Sequence, residues 1–156
     1  MVSMEVAAAD TPEAKQLLTD YFRLRAETFP GNAYTTVFPT REAFTAPAGV
    51  FVIVRDEQGE DVGCGGIRAL ADTGSEVRYE IKHLFLKPST RGRGWGRLLI
   101  DDLIERARTF GATEVVLDTH HTLEAAAGLY AATGFIPIEP YNDNPNATRW
   151  YGKTLR

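Results

Sequence analysis

The sequence predicts an α/β fold: one mixed sheet of about seven strands flanked by about four helices. Three observations predict it. Residues 50–87 hold three short runs rich in β-branched and aromatic side chains, divided by turn-forming residues, as an antiparallel meander requires. From Gly94 onward apolar side chains recur every three or four residues, so the hydrophobic period becomes helical. The rest alternates strand, helix, strand, helix and strands, which a sheet with helices on its faces accommodates.

The elements follow in order. Residues 2–9 form a first strand, and Asp10-Thr11-Pro12-Glu13 starts a helix with a cap residue, a proline in the first turn and an acid at the positive helix end. Leu17, Leu18, Tyr21, Phe22, Leu24 and Phe29 give that helix one buried face, and Pro30-Gly31-Asn32 stops it. Residues 33–48, with Pro39 and Pro47, read as loop plus one helical turn at 41–44. Strands follow at 50–55, 62–70 and 77–87, joined by turns at 57–61 and 72–75 and ended by Pro88, which has no amide for the ladder. A helix spans 94–110, with Trp95, Leu99, Leu103 and Ala107 inward beside Ile100 and Ile104, and Asp101, Asp102, Glu105 and Arg108 outward; Gly111 terminates it. A strand at 114–119, a helix at 123–133 stopped by Gly134, and strands at 135–139 and 148–155 complete the chain.

Composition narrows the function classes. A chain of 156 residues with 44% hydrophobic residues fits one domain, residues 1–156, with a sizeable core. A net charge of −4 argues against nucleic acid as the main partner, because phosphate binding wants a positive face. Cys64 is the only cysteine, so no internal disulfide and no thiolate zinc cluster can form, and a reducing cytosol is the expected compartment. The N-terminal stretch meets Asp10 before any signal-peptide core develops, and the apolar runs fall far short of the roughly 20 residues a bilayer needs. The expectation is a soluble, cytoplasmic protein with no membrane partner.

The most informative segment is Leu84-Phe85-Leu86-Lys87-Pro88-Ser89-Thr90-Arg91-Gly92-Arg93-Gly94-Trp95-Gly96-Arg97. A strand ends, a glycine-rich loop follows and a long helix begins. Glycines let the backbone come close to a ligand, while free amides and the dipole of the helix start favour an anion. Arg91, Arg93 and Arg97 add positive charge, so the expected ligand carries phosphate. A nucleotide P-loop needs Gly-Lys followed by Ser or Thr, which Gly96-Arg97-Leu98 lacks. A dinucleotide fingerprint needs a different glycine spacing. A loop of solvated arginines is the bland alternative, weakened by the strand before it and the amphipathic helix after it.

These residues resemble the GNAT superfamily of acetyl-CoA-dependent N-acetyltransferases. Its pyrophosphate loop reads Arg or Gln, two residues, Gly, one residue, then Gly or Ala, and Arg91-Gly92-Arg93-Gly94-Trp95-Gly96 fits each fixed position. The likeness extends through Val62-Gly63-Cys64-Gly65-Gly66-Ile67-Arg68, Glu80-Ile81-Lys82-His83-Leu84-Phe85-Leu86, and the stretch from Glu124 through Leu129-Tyr130 to Gly134-Phe135, in the family's order. The resemblance implies a GNAT fold with acetyl-CoA as co-substrate and no metal. It implies that backbone groups of Leu84, Phe85 and Leu86 hold pantetheine as if it were an added strand, and that Arg91, Gly92, Arg93, Gly94, Trp95, Gly96 and Arg97 hold the pyrophosphate.

It also assigns chemical roles. Tyr130 matches the tyrosine that protonates the departing thiolate; a phenol near pKa 10 lies above a thiol near 8.5, and core filling is the rival role. Glu80 matches a glutamate that deprotonates the amine through water. Two-residue alternation puts Glu80 on one face with Lys82 and Leu84, so pairing with Lys82 is an equally open structural role, and His83 faces away if the strand is regular. His120 and His121, adjacent in an extended segment, point to opposite sides and make a poor metal site; Asp118 does not complete one, and His120 is a reserve active-site residue. Cys64 reads as packing. The sequence departs from the family at Leu123, where many members carry an asparagine, and at the bulky Trp95.

The acceptor site is expected among residues 23–44 and 141–146, with Arg23 or Arg25 on a substrate carboxylate and Tyr141 and Asn142 in a Tyr-Asn-Asp-Asn-Pro phrase similar to one in some small family members. The expected reaction is direct transfer of acetyl to a primary amine of a small molecule or amino acid. A protein amino group, a non-catalytic acyl-CoA sensor and a module for another phosphate ligand remain open alternatives. A homodimer is one arrangement open to a small enzyme, although no stripe of side chains marks it.

Overall fold

The computed structural model describes residues 1–72 and 74–155, so Thr73 of the expected 72–75 turn lies outside the described residues. Strands β1 (Ser3–Val6), β2 (Gly49–Arg55), β3 (Asp61–Ala69), β4 (Arg78–Leu86), β5 (Glu114–Thr119), β6 (Ile136–Pro137) and β7 (Arg149–Thr154) form one sheet in the order β1-β2-β3-β4-β5-β7-β6. Helices α1 (Pro12–Thr28), α2 (Trp95–Thr109) and α3 (Glu124–Ala132) cover it. All strand pairs are antiparallel except β4–β5, which is parallel, so the sheet is mixed as expected.

The described residues hold three α-helices rather than about four. The single turn expected around residues 41–44 forms as a 3-10 turn, Glu42–Phe44, confined between Pro39 and Pro47 and too short to be an α-helix. The sixth strand shrinks to two residues, since Pro137 and Pro140 offer no amide to a longer ladder. At the first helix the cap is Thr11: its Oγ1 accepts from the Ala14 amide at 3.2 Å, while Asp10 holds Arg41 at 2.9 Å.

Two apolar layers hold the sheet. On one face Val50, Val52, Ile67 and Ile81 meet Leu99 and Leu103 of α2; on the other, Phe51, Ile53, Cys64 and Phe85 meet Leu17, Leu18 and Phe22 of α1. That is why β2 reads as an unbroken apolar run: both its faces are buried. Glycines in β3 let the layers close. A Cβ on Gly63 would lie 2.4 Å from the Phe85 carbonyl oxygen, and one on Gly66 2.8 Å from the Phe44 ring.

Two irregularities in β4 shape the molecule. Cys64 pairs with Phe85 but Gly66 pairs with Lys82, so Gly65 stands opposite both His83 and Leu84 in a β-bulge, with His83 at φ 60°. The bulge overturns the regular alternation expected for this strand. Leu84 joins the α2 layer instead of sharing a face with Glu80 and Lys82. His83 does not face away from Glu80; its ring sits on the α1 side, 5.8 Å from those of both Phe22 and Phe44. The second irregularity is that β4 pairs with β5 only from Arg78↔Glu114 to Glu80↔Val116, after which the two strands part.

The His83 site gives a pH signature. Burial, helped by the positive charges of Lys82 and Arg68, pushes its imidazole down to about 3. The unfolded chain binds this proton near pH 6.5 and the folded chain does not, so stability falls as pH drops from 6.5 toward 3, at about 1.4 kcal/mol per pH unit. His83→Asn, which tolerates the positive φ, should flatten that part of the stability–pH curve in urea melts at pH 4 to 7. An unchanged slope would remove His83 as its source.

Candidate active site

Where β4 and β5 part, a cavity of about 930 Å³ opens, lined by residues 81–86 of β4, Leu117, Asp118 and Thr119 of β5, the start of α3, the α1 side chains Tyr21, Phe22 and Arg25, and residues from the 34–40 and 142–146 loops. The freed edge of β4 faces this space with backbone groups that no longer meet β5.

The glycine loop runs on from Arg91, which lines the cavity. Gly92 and Gly94 hold φ of 81° and 77°, conformations that other residues rarely adopt, and these swing the chain into α2. No side chain caps α2, so its first amides and its positive dipole end are left for a ligand. Gly96 sits where a Cβ would come 2.9 Å from Leu129, so its lack of a side chain lets α3 lie close to the start of α2. Arg93 stacks over Trp95, 5.0 Å from the ring centre, which keeps the guanidinium near the loop. Arg97 is exposed and reaches Asp101 at 4.0 Å. Of the expected coenzyme residues, Leu84, Phe85, Leu86 and Arg91 line the cavity, and Gly92, Arg93, Gly94, Trp95, Gly96 and Arg97 form the adjoining turn and helix start.

Tyr130 projects from α3 into the cavity between the rings of Phe135 and Tyr151, at 6.0 and 5.8 Å. Its hydroxyl makes no hydrogen bond among the described residues. Burial, then the neighbouring Tyr21 and Asp118, push its pKa well above the usual phenol value, so it stays protonated. The Leu123 side chain lines the same space.

Glu80 lies beneath the cavity, not on its wall. The side chain is fully buried; Arg68 Nε donates to Oε1 at 2.9 Å, the Tyr141 hydroxyl donates to Oε2 at 2.6 Å, and Lys82 Nζ stands 3.8 Å from Oε2. Burial and the Glu80 and Asp118 charges raise the Tyr141 pKa, which keeps that hydroxyl a donor. Asp118 does line the cavity. It accepts from Lys82 Nζ at 3.2 Å and from Asn142 Nδ2 at 2.7 Å, while Asn142 Oδ1 accepts from Trp150 Nε1 at 2.9 Å. Burial opposes the Asp118 charge, but Lys82 and the amides of Asn142 and Asn144 outweigh it and hold the carboxyl below the usual range. Thus Tyr141 and Asn142 fasten the 141–146 loop to two carboxylates on neighbouring strands.

The other candidates separate cleanly. Arg23 is exposed, 3.8 Å from Asp20, and does not line the cavity; Arg25 does, because two residues along a helix point to opposite sides. His120 and His121 do not diverge as an extended segment would make them. The strand ends at Thr119, and the rings stack 4.4 Å apart, held by Thr122 and Thr148 hydroxyls at 2.7 and 2.8 Å. No group of three His, Cys, Asp or Glu able to hold a metal occurs among the described residues. Cys64 is buried, its thiol pushed up by desolvation and donating to the His83 carbonyl at 3.5 Å. Sequence reasoning weighed Asp118 and His83 and gave neither a place in the site. A lone carboxylate in the apolar run Val115-Val116-Leu117-Asp118 is the signal that marks the first; nothing local marks the second.

Known proteins place this arrangement. An uncharacterized N-acetyltransferase of Schizosaccharomyces pombe is 36% identical over 99 residues, covering 64% of this chain and 59% of that protein, so the chain spans less than two thirds of that relative's length. A GNAT-family acetyltransferase of Staphylococcus aureus superposes with a TM-score of 0.77 at 17% identity, covering 100% of both chains. A GNAT-family acetyltransferase of Elizabethkingia anophelis, solved with acetyl-CoA bound, superposes with a TM-score of 0.65 at 16% identity over 99% of this chain and 98% of its own. The family description "Acetyltransferase (GNAT) family" matches residues 13–135, from the first turn of α1 to the residue before β6. With that match over most of its length, the chain belongs to the GNAT acetyltransferase family.

Proposed function

We propose that this chain is an N-acetyltransferase that moves the acetyl group of acetyl-CoA to a primary amine of a small molecule or amino acid by direct attack. The observation that carries the reading is the parting of β4 and β5 beyond Glu80, which exposes a strand edge beside an uncapped helix N-terminus and a protonated tyrosine. We take the chain as one catalytic domain working in a reducing cytosol, in keeping with its single buried thiol.

The residues fit such a donor at three points. The free edge of residues 81–86 offers amides and carbonyls to an extended polar chain, as a missing strand would use them. The turn at Gly92 and Gly94 and the first amides of α2 suit a pyrophosphate, with Arg91 and Arg93 neutralising it. Acetyl-CoA supplies the activated thioester there. Backbone N–H groups of the freed β4 edge polarise its carbonyl and stabilise the oxyanion. Tyr130, kept neutral by burial, donates its hydroxyl proton to the leaving thiolate.

The amine must lose a proton as it attacks. Glu80 is the assigned base, and the Tyr141 hydroxyl on its Oε2 is its link outward, since the carboxylate has no open surface of its own. Asp118 is the second carboxylate, on the cavity wall but already held by Lys82 and Asn142. Glu80→Gln and Asp118→Asn separate them: the true base is the one whose loss removes the acidic limb of the kcat/KM–pH profile.

Calorimetry with acetyl-CoA tests the donor site. One-site binding should weaken about tenfold or more in the Arg91→Ala, Arg93→Ala double variant, as expected for lost hydrogen bonds to a charged group. No binding at millimolar acetyl-CoA would end the acetyltransferase reading. Tyr130→Phe should lower kcat about 100-fold while leaving the acetyl-CoA affinity unchanged, within the usual range for a lost general acid. An acyl-CoA sensor would bind the ligand equally well and show no turnover with any amine in either form.

A further inference from the structure

Arg25 is the least satisfied charge in the described structure. The residue is 7% exposed, and its Nε and Nη1 are buried with no hydrogen-bond partner. No carboxylate pairs with it among the described residues. Its guanidinium lies against aromatic faces, 4.9 Å from the Tyr34 ring centre and 5.6 Å from that of Phe29. The same side chain lines the cavity that Tyr130 enters. A guanidinium does not shed its proton, so burial cannot neutralise it as it would a lysine. An unpaired buried charge of this kind is costly to keep, and a protein gains by keeping it where a ligand completes it.

We infer that Arg25 binds the carboxylate of the acceptor, so that the acceptor is an amine that also carries an acid, with an apolar or aromatic body. This rests on the acetyl-transfer reading and deepens it. The planar fork of arginine matches a carboxylate in two parallel hydrogen bonds, which fixes the orientation of the molecule as well as its charge. The walls beside Arg25 set the rest. Phe22 stands 4.9 Å from Phe38 and 6.2 Å from Tyr34, and Tyr21 stands 5.4 Å from Phe22, forming a continuous aromatic surface. All four rings line the cavity. Such a surface suits the side chain of a phenylalanine, leucine or methionine better than a polyamine or a sugar. Asp118, Glu124 and Asp143 also line the cavity, but none forms an ion pair with Arg25, and Asp118 is already held by Lys82 and Asn142. With the acid end on Arg25, the amine is left toward the β4–β5 gap and Tyr130.

The test separates acid recognition from catalysis. N-acetyl forms of phenylalanine, leucine and methionine, the products of the inferred reaction, are titrated into the protein by calorimetry beside their primary amides. At least one acid should bind tenfold or more tighter than its amide, and Arg25→Gln should abolish that preference while Arg25→Lys restores part of it. The Arg25→Gln protein should melt no lower than the parent, because the change removes an uncompensated charge. Equal binding of acid and amide, no binding of any acid at millimolar concentration, or a lower melting temperature with the preference intact would overturn the inference. In the acetylation assay, phenylalanine should exceed phenethylamine tenfold or more in kcat/KM, and Arg25→Gln should remove the difference. Acid binding that depends on Arg25 without turnover of any amine would leave the inference standing and defeat the catalytic reading alone.

Discussion

The loss of pairing between β4 and β5 after Glu80 is the constraint from which the rest of the site follows. Parallel strands that stay in register leave no space between them and no free edge. Here the two strands share three residue pairs and then diverge, and the gap is held open from both sides. On one side the bulge at His83 redirects β4. On the other, β5 gives its far end to β7, with six successive pairs from Glu114↔Thr154 to Thr119↔Arg149. That ladder fixes the path of β5 from its other edge, so β5 does not bend to follow β4 past the bulge.

The polar groups at the point of divergence act as the wedge. Glu80 is the last β4 residue paired to β5, and it is buried only because Arg68 from β3 and Tyr141 from the last long loop satisfy both carboxylate oxygens. Asp118 faces the gap from the other strand and is matched in the same way by Lys82 and Asn142. Lys82 stands between the two acids, 3.2 Å from one and 3.8 Å from the other. Removing one member would strand a charge in a dry place, which costs several kcal/mol. The network thus ties β3, β4, β5 and the 141–146 loop together, and any acid–base role at Glu80 is exercised by a group that also has this structural duty.

Much of this was legible in the sequence. The mixed sheet, the three true helices and the loop between β4 and α2 follow from hydrophobic period, prolines and glycines, which act through the local chain. The turn Gly92-Arg93-Gly94 could be read because positive φ leaves a mark on residue type. His83 takes a positive φ with no such mark, since its conformation is imposed by register against Gly65 and by the aromatic side chains of α1. The inverted faces of Leu84 and His83 were illegible for that reason. So was the choice between Arg23 and Arg25: spacing says that they diverge, but which one turns inward depends on where α1 sits on the sheet. Tyr141 and Asn142 were legible as a phrase, whereas their partners Glu80 and Asp118 lie 61 and 24 residues away.

Unsatisfied polar groups gather around the cavity. Elsewhere the fold completes its buried polar groups: Thr11 caps α1, the Tyr79 hydroxyl finds the Pro47 carbonyl at 2.8 Å, and Lys153 reaches the Thr133 carbonyl at 2.7 Å. Around the cavity it does not. Beyond Glu80 the edge of β4 has no neighbouring strand, no side chain caps α2, and Nε and Nη1 of Arg25 have no hydrogen-bond partner; each lacks a different kind of group. A strand edge lacks amides and carbonyls, a helix N-terminus lacks an anion, and a buried guanidinium lacks a carboxylate. Folding stability is only about 5–15 kcal/mol, so such deficits gathered in one place are not incidental to packing. On the proposed reading, two ligands would fill them, one extended and phosphorylated, the other small and acidic, meeting at Tyr130.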